Sequence, residues 1–266
     1  AAAEGGIIVL EEGTNRLYSY DWDFSLRTGF PIAYSTINSE INGDTVSLAA
    51  HGYDVLFGDR ERNVGARVDV GSVFKFDMRD STAAASEFQP DSALDFHYFG
   101  DNVDINEKYI AICAKETSTG VYDLLTVYDA VDETELYKFQ YGSNVPNKEP
   151  WQDVTVAGTS GGSDFYVYLH GDYALLAFTD TSTPSNFRVD VFDLLNGRYL
   201  TTINNPNDFD SAGDDFAKSA FGGKAISMEG NRVAVGAPRE DTGSETDSGR
   251  VYLFDLENVH SSSHIS

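Results

Sequence analysis

Apolar and polar positions alternate along this chain in short runs, and one such run occurs five times. Each time, a short apolar stretch ends in an aromatic residue followed by Asp, as in YSYD at 18–21 and YLFD at 252–255. The steps between successive closing residues are 56, 52, 64 and 62. A period of about 50 residues made of short strands is typical of β-propeller blades. The closing residues are Asp21, Asp77, Asp129, Asp193 and Asp255.

Further strands are predicted around each of these stretches. A strand that opens with a Gly or a polar turn precedes every one, which indicates a hairpin. An earlier strand leads into that turn in four repeats, and a strand follows the Asp in GFPIAY (29–34), ELYKFQY (135–141) and RYLTTI (198–203). The pattern therefore predicts four strands per repeat. The hairpin strands are GGIIVLEE (5–12), GYDVLFGD (52–59), EKYIAICAKE (107–116), GDYALLAFTD (171–180) and GNRVAVGAPRE (230–240).

We predict an all-β fold, a single β-propeller domain over residues 1–266 with about five four-stranded blades. The first blade is expected to be incomplete because only Ala1, Ala2 and Ala3 precede Glu4, and the start at Ala suggests a processed or partial chain. VHSSSHIS (259–266) is expected to be an edge strand of the last blade. The alternative is a two-sheet sandwich, which the fixed period disfavours. The approximate repeats are 1–36, 37–90, 91–144, 145–206 and 207–266.

The third strand of each repeat is apolar on both faces, as in VYLFD, where Val251 and Leu253 alternate with Tyr252 and Phe254. A strand buried on one face alternates apolar and polar residues. Blades stacked face to face bury both sides of their middle strands, so we expect these strands to be buried on both faces. The Asp that closes each strand is expected to bond nearby backbone N–H groups and to start the next turn.

The net charge of −25, from 43 acids and 18 bases, limits the partners. Phosphate contacts need Lys and Arg, so nucleic acid is excluded as an expected partner, as are anionic membrane surfaces. No run of apolar residues is long enough to predict insertion into a membrane. The acids of the chain repel one another, and dissolved salt screens this repulsion. The charge therefore favours a saline, marine habitat for the protein. The alternative is an acidic surface that only resists aggregation.

The sequence contains no nucleophile elbow, phosphate-binding loop or CxxC pair. Cys113, the single cysteine, lies in an apolar strand and is expected to be buried and inert. His51 and His170 occupy equivalent hairpin turns, His97 stands alone, and His260 and His264 could share a strand face as metal ligands. We predict no enzyme activity and no catalytic, cofactor-binding or metal-ligating residue. The alternative is a pair of catalytic carboxylates of the glycosidase kind, which the large number of Asp and Glu residues would allow.

Residues 221–256 resemble the FG-GAP repeat of integrin-type β-propellers. Phe221-Gly222 supplies the Phe-Gly and Gly236-Ala237-Pro238 the Gly-Ala-Pro, while the third repeat keeps Phe99-Gly100. The preceding stretch, 194–216, looks like the linker between such repeats in proteins of marine phages and marine bacteria. The resemblance implies a propeller used for binding or assembly.

The resemblance also implies calcium, which integrin-type blades often hold in loops of alternating acids. The nearest loop here contains Asp208, Asp210, Gly213, Asp214 and Asp215, and alternating carboxylates could chelate a hard cation there. A solvated acidic loop is the favoured interpretation, so no metal is predicted. A second acidic loop, with the same status, contains Glu240, Asp241, Glu245 and Asp247.

Two functions follow from these observations. The first is a non-enzymatic structural or interaction module, either virion-associated as a capsid decoration, fibre or tail protein, or a cell-surface adhesion protein. Its expected partners are other proteins of an assembly, or a cell-surface receptor or glycan, and contact between copies of the chain is a further candidate. The alternative is a five-bladed carbohydrate-binding lectin or glycoside hydrolase, which rests on analogy at the level of fold.

Overall fold

The computed structural model describes most of the chain as strands and short turns. Across the described residues it contains nineteen strands and no helix, and hence none that could cross a membrane. Two compact units are present, Ala1–Val145 and Pro146–Ser266. The described residues are 2–3, 6–11, 16–33, 46–80, 85–90, 98–114, 122–141, 164–179, 188–206, 225–241, 245 and 247–257.

The first unit contains three four-stranded antiparallel sheets, each made of strands consecutive in sequence. The first sheet is β1 (Ala2–Ala3), β2 (Gly6–Glu11), β3 (Arg16–Tyr20) and β4 (Ile32–Ala33). The second sheet is β5 (Val46–His51), β6 (Asp54–Asp59), β7 (Ser72–Asp77) and β8 (Ser86–Phe88). The third sheet is β9 (Asn102–Ile105), β10 (Tyr109–Cys113), β11 (Tyr122–Asp129) and β12 (Glu135–Tyr141).

The second unit contains two antiparallel sheets in the described residues. The fourth sheet is β13 (Asp164–His170), β14 (Tyr173–Thr179), β15 (Arg188–Asp193) and β16 (Arg198–Asn204). The fifth is β17 (Ile226–Glu229), β18 (Arg232–Ala237) and β19 (Arg250–Asp255). The predicted edge strand at 259–266 lies outside the described residues, as do the Asp208–Asp215 loop, His97, His260 and His264.

These sheets are the blades of an all-β, β-propeller-type fold, which confirms the predicted fold class. Each sheet is an up-and-down meander, and each predicted repeat range holds one of them. Alternating antiparallel neighbours need only short hairpins, such as the one that pairs His51 with Asp54 and the one that pairs His170 with Tyr173. The prediction of one domain over 1–266 stays a prediction.

The expected gap at the start of the first sheet is not present. Ala2 pairs with Ile7 and Ala3 with Gly6, so β1 supplies a short fourth strand along β2. The expectation was wrong because a pairing segment of two residues is too short to produce an alternating pattern in the sequence.

Most third strands are buried on both faces, as predicted. In β15, for example, Val189, Asp190, Val191 and Phe192 are all buried. The expectation was wrong for β19, where Val251 and Leu253 are 67% and 63% exposed. Tyr252 and Phe254 pack on a core that the fourth and fifth sheets share, whereas no other sheet of the described part of this unit covers the opposite face.

Glycines let the second and third sheets approach closely within the first unit. A Cβ at Gly100, which has φ +91°, would lie 2.9 Å from Val73 and 3.2 Å from the Cα of Gly58. The Phe99 N–H donates to the Val70 carbonyl at 2.9 Å, and the Phe99 side chain is buried. This contact explains why Phe99-Gly100 stands at the start of the third blade, because only glycine fits there.

Candidate functional site

Four of the five closing Asp residues start the next turn as predicted. Each accepts a backbone hydrogen bond on Oδ1, from Arg79 N at 2.9 Å for Asp77 and from Asn196 N at 3.2 Å for Asp193. Asp129 accepts from the N–H groups of two residues, and Asp255 accepts from one. Such side-chain bonds compete with strand pairing and bend the chain, so the predicted structural role of these residues is confirmed.

In these four turns, the residue directly after the Asp is buried beneath the turn. We call this residue the plug. Its backbone N–H donates at 2.8–2.9 Å to a carbonyl of the neighbouring hairpin, for example from Leu194 to Asp172 O. Its side chain enters the core beneath the turn. The plugs are Met78, Ala130, Leu194 and Leu256, and all four are buried.

The first blade departs from this rule. The residue after Asp21 is Trp22, whose side chain is 59% exposed. Phe24 and Leu26 follow, 74% and 45% exposed. We call residues 21–27 the aromatic loop. Large apolar side chains are costly to leave in water, so three of them in one short loop indicate an interaction surface.

The aromatic loop is held in shape by its own hydrogen bonds. Asp21 N donates to Ser25 O and Phe24 N to Asp21 O, both at 2.9 Å. Asp23 Oδ1 accepts from Ser25 N at 2.9 Å and from Ser25 Oγ at 2.6 Å, and these bonds hold the pKa of Asp23 below its usual value. Arg27 donates from Nε to Asp21 at 2.8 Å. The loop is therefore ordered before any partner binds.

Phe24 has a backbone conformation that is unfavourable for its type. Its φ of +65° lies in the left-handed region, where a bulky residue is a genuine outlier. Holding a non-glycine residue there costs about 1–3 kcal/mol, and such strain gathers at binding sites. The bonds around Asp23 compensate for it, and the result directs an aromatic ring toward solvent.

Tyr53, in the β5–β6 turn, adds an aromatic ring beside the loop. The Arg27 guanidinium lies 5.9 Å from the Tyr53 ring centroid, and that of Arg79 lies 5.2 Å from it. Arg79 is in turn fixed by Asp77, and this pairing holds the pKa of Asp77 below its usual value. The candidate site thus combines Trp, Phe and Tyr rings with two oriented arginines.

In the described part of the second acidic loop, two acids already have partners within the fold. The Glu240 carboxylate is buried and accepts from the Tyr252 hydroxyl at 2.5 Å, while Arg250 Nη1 lies 2.8 Å from it. Asp241 accepts from Asp247 N at 2.8 Å. Glu240 is therefore neutralised within the fold. In the described part of the chain, no three His, Cys, Asp or Glu residues come together as a metal site.

The remaining candidates have structural roles. His51 and His170 end β5 and β13 at equivalent hairpins, as predicted. Cys113 is buried in the third sheet, as predicted, and burial raises the pKa of its thiol well above the ordinary value, which disfavours the reactive thiolate.

Sequence reasoning missed the aromatic loop. The available signal was the segment Trp22-Asp23-Phe24-Ser25-Leu26, which alternates like a strand but directly follows the Asp that ends one. An apolar alternation at a position where the chain must turn is a signal of an exposed apolar surface.

One repeat of the chain matches a known family. Residues 211–254 match the family model of the FG-GAP repeat. No curated protein matches the chain significantly. Among solved structures, BamB from Moraxella catarrhalis is 13% identical over 96% of this chain and 56% of that one, with a TM-score of 0.47. The β-propeller domain of Cps50 (Swd1) from Myceliophteria thermophila is 10% identical over 90% and 64%, with a TM-score of 0.42.

A third similar structure is dihydro-heme d1 dehydrogenase NirN, 12% identical over 97% of this chain and 43% of that one, with a TM-score of 0.48. The chain spans about half the length of these solved structures. The family model and the five antiparallel meanders lead to the same conclusion. The chain is a β-propeller-type repeat protein that carries one FG-GAP repeat at residues 211–254.

Proposed function

We propose that this protein is a non-enzymatic interaction module that binds a partner protein through the aromatic loop and Tyr53. The observation that carries the proposal is the exposed pair Trp22 and Phe24, in a turn where the other four blades have a buried plug. The FG-GAP repeat supports binding rather than catalysis as the role of the fold.

The composition of the surface favours a protein partner. Binding hot spots are enriched in Trp, Tyr and Arg and lie in pockets that exclude water. Trp22, Tyr53, Arg27 and Arg79 supply these residue types in one place. Because the loop is already ordered, little conformational entropy remains to be lost when it binds, and this increases affinity.

The net charge of −25 suggests the character of the partner's surface. A strongly acidic protein attracts a basic partner and repels an acidic one, which sets the rate of encounter. We infer a partner that offers an apolar pocket for Trp22 within a basic rim. Nucleic acid is disfavoured as a partner because the chain has only 18 Lys and Arg residues with which to contact phosphates.

The proposal includes an extracellular location, on a virion or a cell surface in a saline medium. FG-GAP repeats are typical of extracellular and cell-surface proteins. High salt shortens the Debye length from about 8 Å at 0.15 M to about 3 Å at 1 M, so a chain with this charge is tolerated better there.

Photo-crosslinking tests the proposal. A benzophenone analogue of phenylalanine replaces Phe24 in the full chain, which is then assembled on intact particles or cells of its source. A second protein carries the same probe at Val131, an exposed residue in the corresponding turn of the third blade. Position 24 should give one discrete crosslinked protein that position 131 does not give.

Trp22→Ala should lower the crosslink yield from position 24 about tenfold or more, as expected for a hot-spot residue. The same products from both positions, or a yield that Trp22→Ala leaves unchanged, would contradict the proposed role of the aromatic loop. Circular dichroism of each variant controls for folding.

A further inference from the structure

A cleft with both polar and apolar walls opens among three turns of the second unit. We call it the turn cleft. Its volume is about 340 Å³, within the range of small-molecule sites. Residues of the β13–β14, β15–β16 and β17–β18 turns line it, among them His170, Asp172, Asp193, Leu195, Asn196 and Asn231.

The walls of the turn cleft are fixed by hydrogen bonds. Leu194 N donates to Asp172 O at 2.8 Å, which joins two of the three turns. Asp193 Oδ2 accepts from Asn196 Nδ2 at 2.8 Å and from Arg198 Nε at 3.1 Å. Asn231 Nδ2 donates to Glu257 at 2.7 Å. A site held in this way is organised before a ligand enters.

The second blade shows what makes the cleft possible. Two residues after its closing Asp comes Arg79, whose guanidinium binds Asp77 and covers the ring of Tyr53. The corresponding residues of the fourth blade are Leu195 and Asp172. Leu195 is exposed and carries no charge, and Arg198, three positions later, turns back to Asp193 instead. The space that an arginine fills in one blade is therefore open in the other.

The lining groups indicate a neutral, hydroxyl-rich ligand. Imidazole, carboxylate and carboxamide groups of His170, Asp172, Asn196 and Asn231 offer both donors and acceptors, as pairs of vicinal hydroxyls require. No Lys or Arg is among the described residues that line the cleft, so nothing there favours a phosphate, sulfate or carboxylate. The exposed Leu195 adds an apolar surface for the C–H face of a ring.

We propose that the turn cleft binds a neutral sugar residue of a glycan. The site is separate from the aromatic loop in the sequence and in the residues that form it, so it can fail or succeed independently of the protein-binding proposal. A module with both would contact a glycosylated surface by two different chemistries.

The test uses the full chain and ligand-observed NMR by saturation transfer. The probes are neutral monosaccharides (glucose, galactose, mannose and N-acetylglucosamine) at low-millimolar concentration, with N-acetylneuraminate and glucose 6-phosphate as charged controls. At least one neutral sugar should show saturation transfer, and the charged sugars should show none. Absence of transfer to all four neutral sugars, or stronger transfer to the charged ones, overturns the proposal.

Leu195→Arg supplies the matched variant, because it installs in the fourth blade the residue that covers the turn in the second. An arginine there would lie between Asp193 and Asp172 and fill the cleft. It should weaken sugar binding about tenfold or more, whereas Val131→Arg, at the same position of the third blade, should leave binding unchanged. Equal binding by all three proteins shows that the sugar binds elsewhere.

If circular dichroism shows that Leu195→Arg does not fold, Asn231→Leu on the opposite wall repeats the test. Asn231 is half-buried, and its side chain donates a hydrogen bond to Glu257, which is exposed. The change therefore removes a carboxamide from the lining of the cleft without opening the core. Loss of saturation transfer supports the proposal, and retention overturns it.

Discussion

Two loops of this protein break the usual rule of burial in opposite directions. The aromatic loop leaves Trp22 and Phe24 exposed, whereas the second acidic loop buries the carboxylate of Glu240. Aromatic residues normally lie inside and acids outside. Each exception therefore needs a reason, and the two reasons differ.

The fold itself explains the buried Glu240. Its carboxylate accepts a hydrogen bond from the Tyr252 hydroxyl at 2.5 Å and forms an ion pair with Arg250 at 2.8 Å, so its charge is compensated. Gly249 N donates to Glu240 O at 2.9 Å and closes the loop around it. This loop belongs to the stretch that matches the FG-GAP repeat, and its charges hold the blade together.

The fold does not explain the exposed aromatics in this way. The hydrogen bonds of the aromatic loop fix its backbone and thereby present Trp22 and Phe24 rather than bury them. A strained φ at Phe24 adds to the cost. The comparison teaches that a side chain buried against its own partners has a structural role, whereas large apolar side chains held in an exposed position are available to a partner outside the chain.

The largest expected effect comes from Glu240→Ala. It leaves Arg250 and Tyr252 without their acceptor and should lower the free energy of unfolding by about 3 kcal/mol, the low end for a broken buried pair because Arg250 is 38% exposed. Trp22→Ala should change it by no more than about 0.5 kcal/mol. Denaturant unfolding followed by circular dichroism measures both, and similar losses would contradict the comparison.

A smaller loss is expected for Tyr252→Phe, about 1.5 kcal/mol for one hydrogen bond to a charged acceptor. Burial and the bond to Glu240 raise the pKa of Tyr252 to about 12. Since the folded pKa exceeds the ordinary value of 10, the bond's stabilisation is complete below pH 10 and is lost as the pH rises toward 12.

Ultraviolet titration of tyrosinate measures this directly. The step near pH 12 should be missing from Tyr252→Phe. If the wild type and Tyr252→Phe lose stability with the same slope above pH 10, Tyr252 does not act through this bond.

The blades were predictable because their signals are local. An aromatic–Asp ending and a hairpin that opens with Gly or a polar turn recur in every repeat, and each marks a turn of the chain. The two-residue pairing of β1 was not predictable, because Ala2 and Ala3 carry no pattern. The exposure of Val251 and Leu253 was not predictable either, since it depends on which sheet lies beyond β19 rather than on β19 itself.

The candidate sites were harder to predict because they depend on contrasts between repeats. The sequence shows that Trp22, Met78 and Leu194 follow equivalent Asp residues, but only the structure shows that one is exposed and two are buried. The same holds for Glu240, which the sequence groups with Asp241 and Asp247 as a solvated acid. The turn cleft depends on Arg79 covering one turn and Leu195 leaving another open.

Phe24→Gly sharpens the comparison because stability and binding should change in opposite directions. Glycine adopts a φ of +65° at no steric cost, so relief of strain should raise the free energy of unfolding by up to about 1 kcal/mol. The same change removes the most exposed ring of the loop, so crosslinking from a probe at Trp22 should fall. A variant that is destabilised by more than about 1 kcal/mol would show that the ring supports the fold.

The smallest effects are expected from salt, which separates exposed charges from the buried pair. Repulsion among 43 acids should be relieved between low salt and about 0.5 M NaCl, so the melting temperature should rise. Glu245→Lys, a change at an exposed residue of the second acidic loop, should reduce that rise slightly, while Glu245→Gln should reduce it by about half as much. The penalty of Glu240→Ala should be nearly the same at both salt concentrations, because a buried pair is screened much less.

A melting temperature that does not change with salt would remove the support that the charge gives to a saline habitat. A Glu240→Ala penalty that disappears in salt would show that this carboxylate behaves as a surface charge.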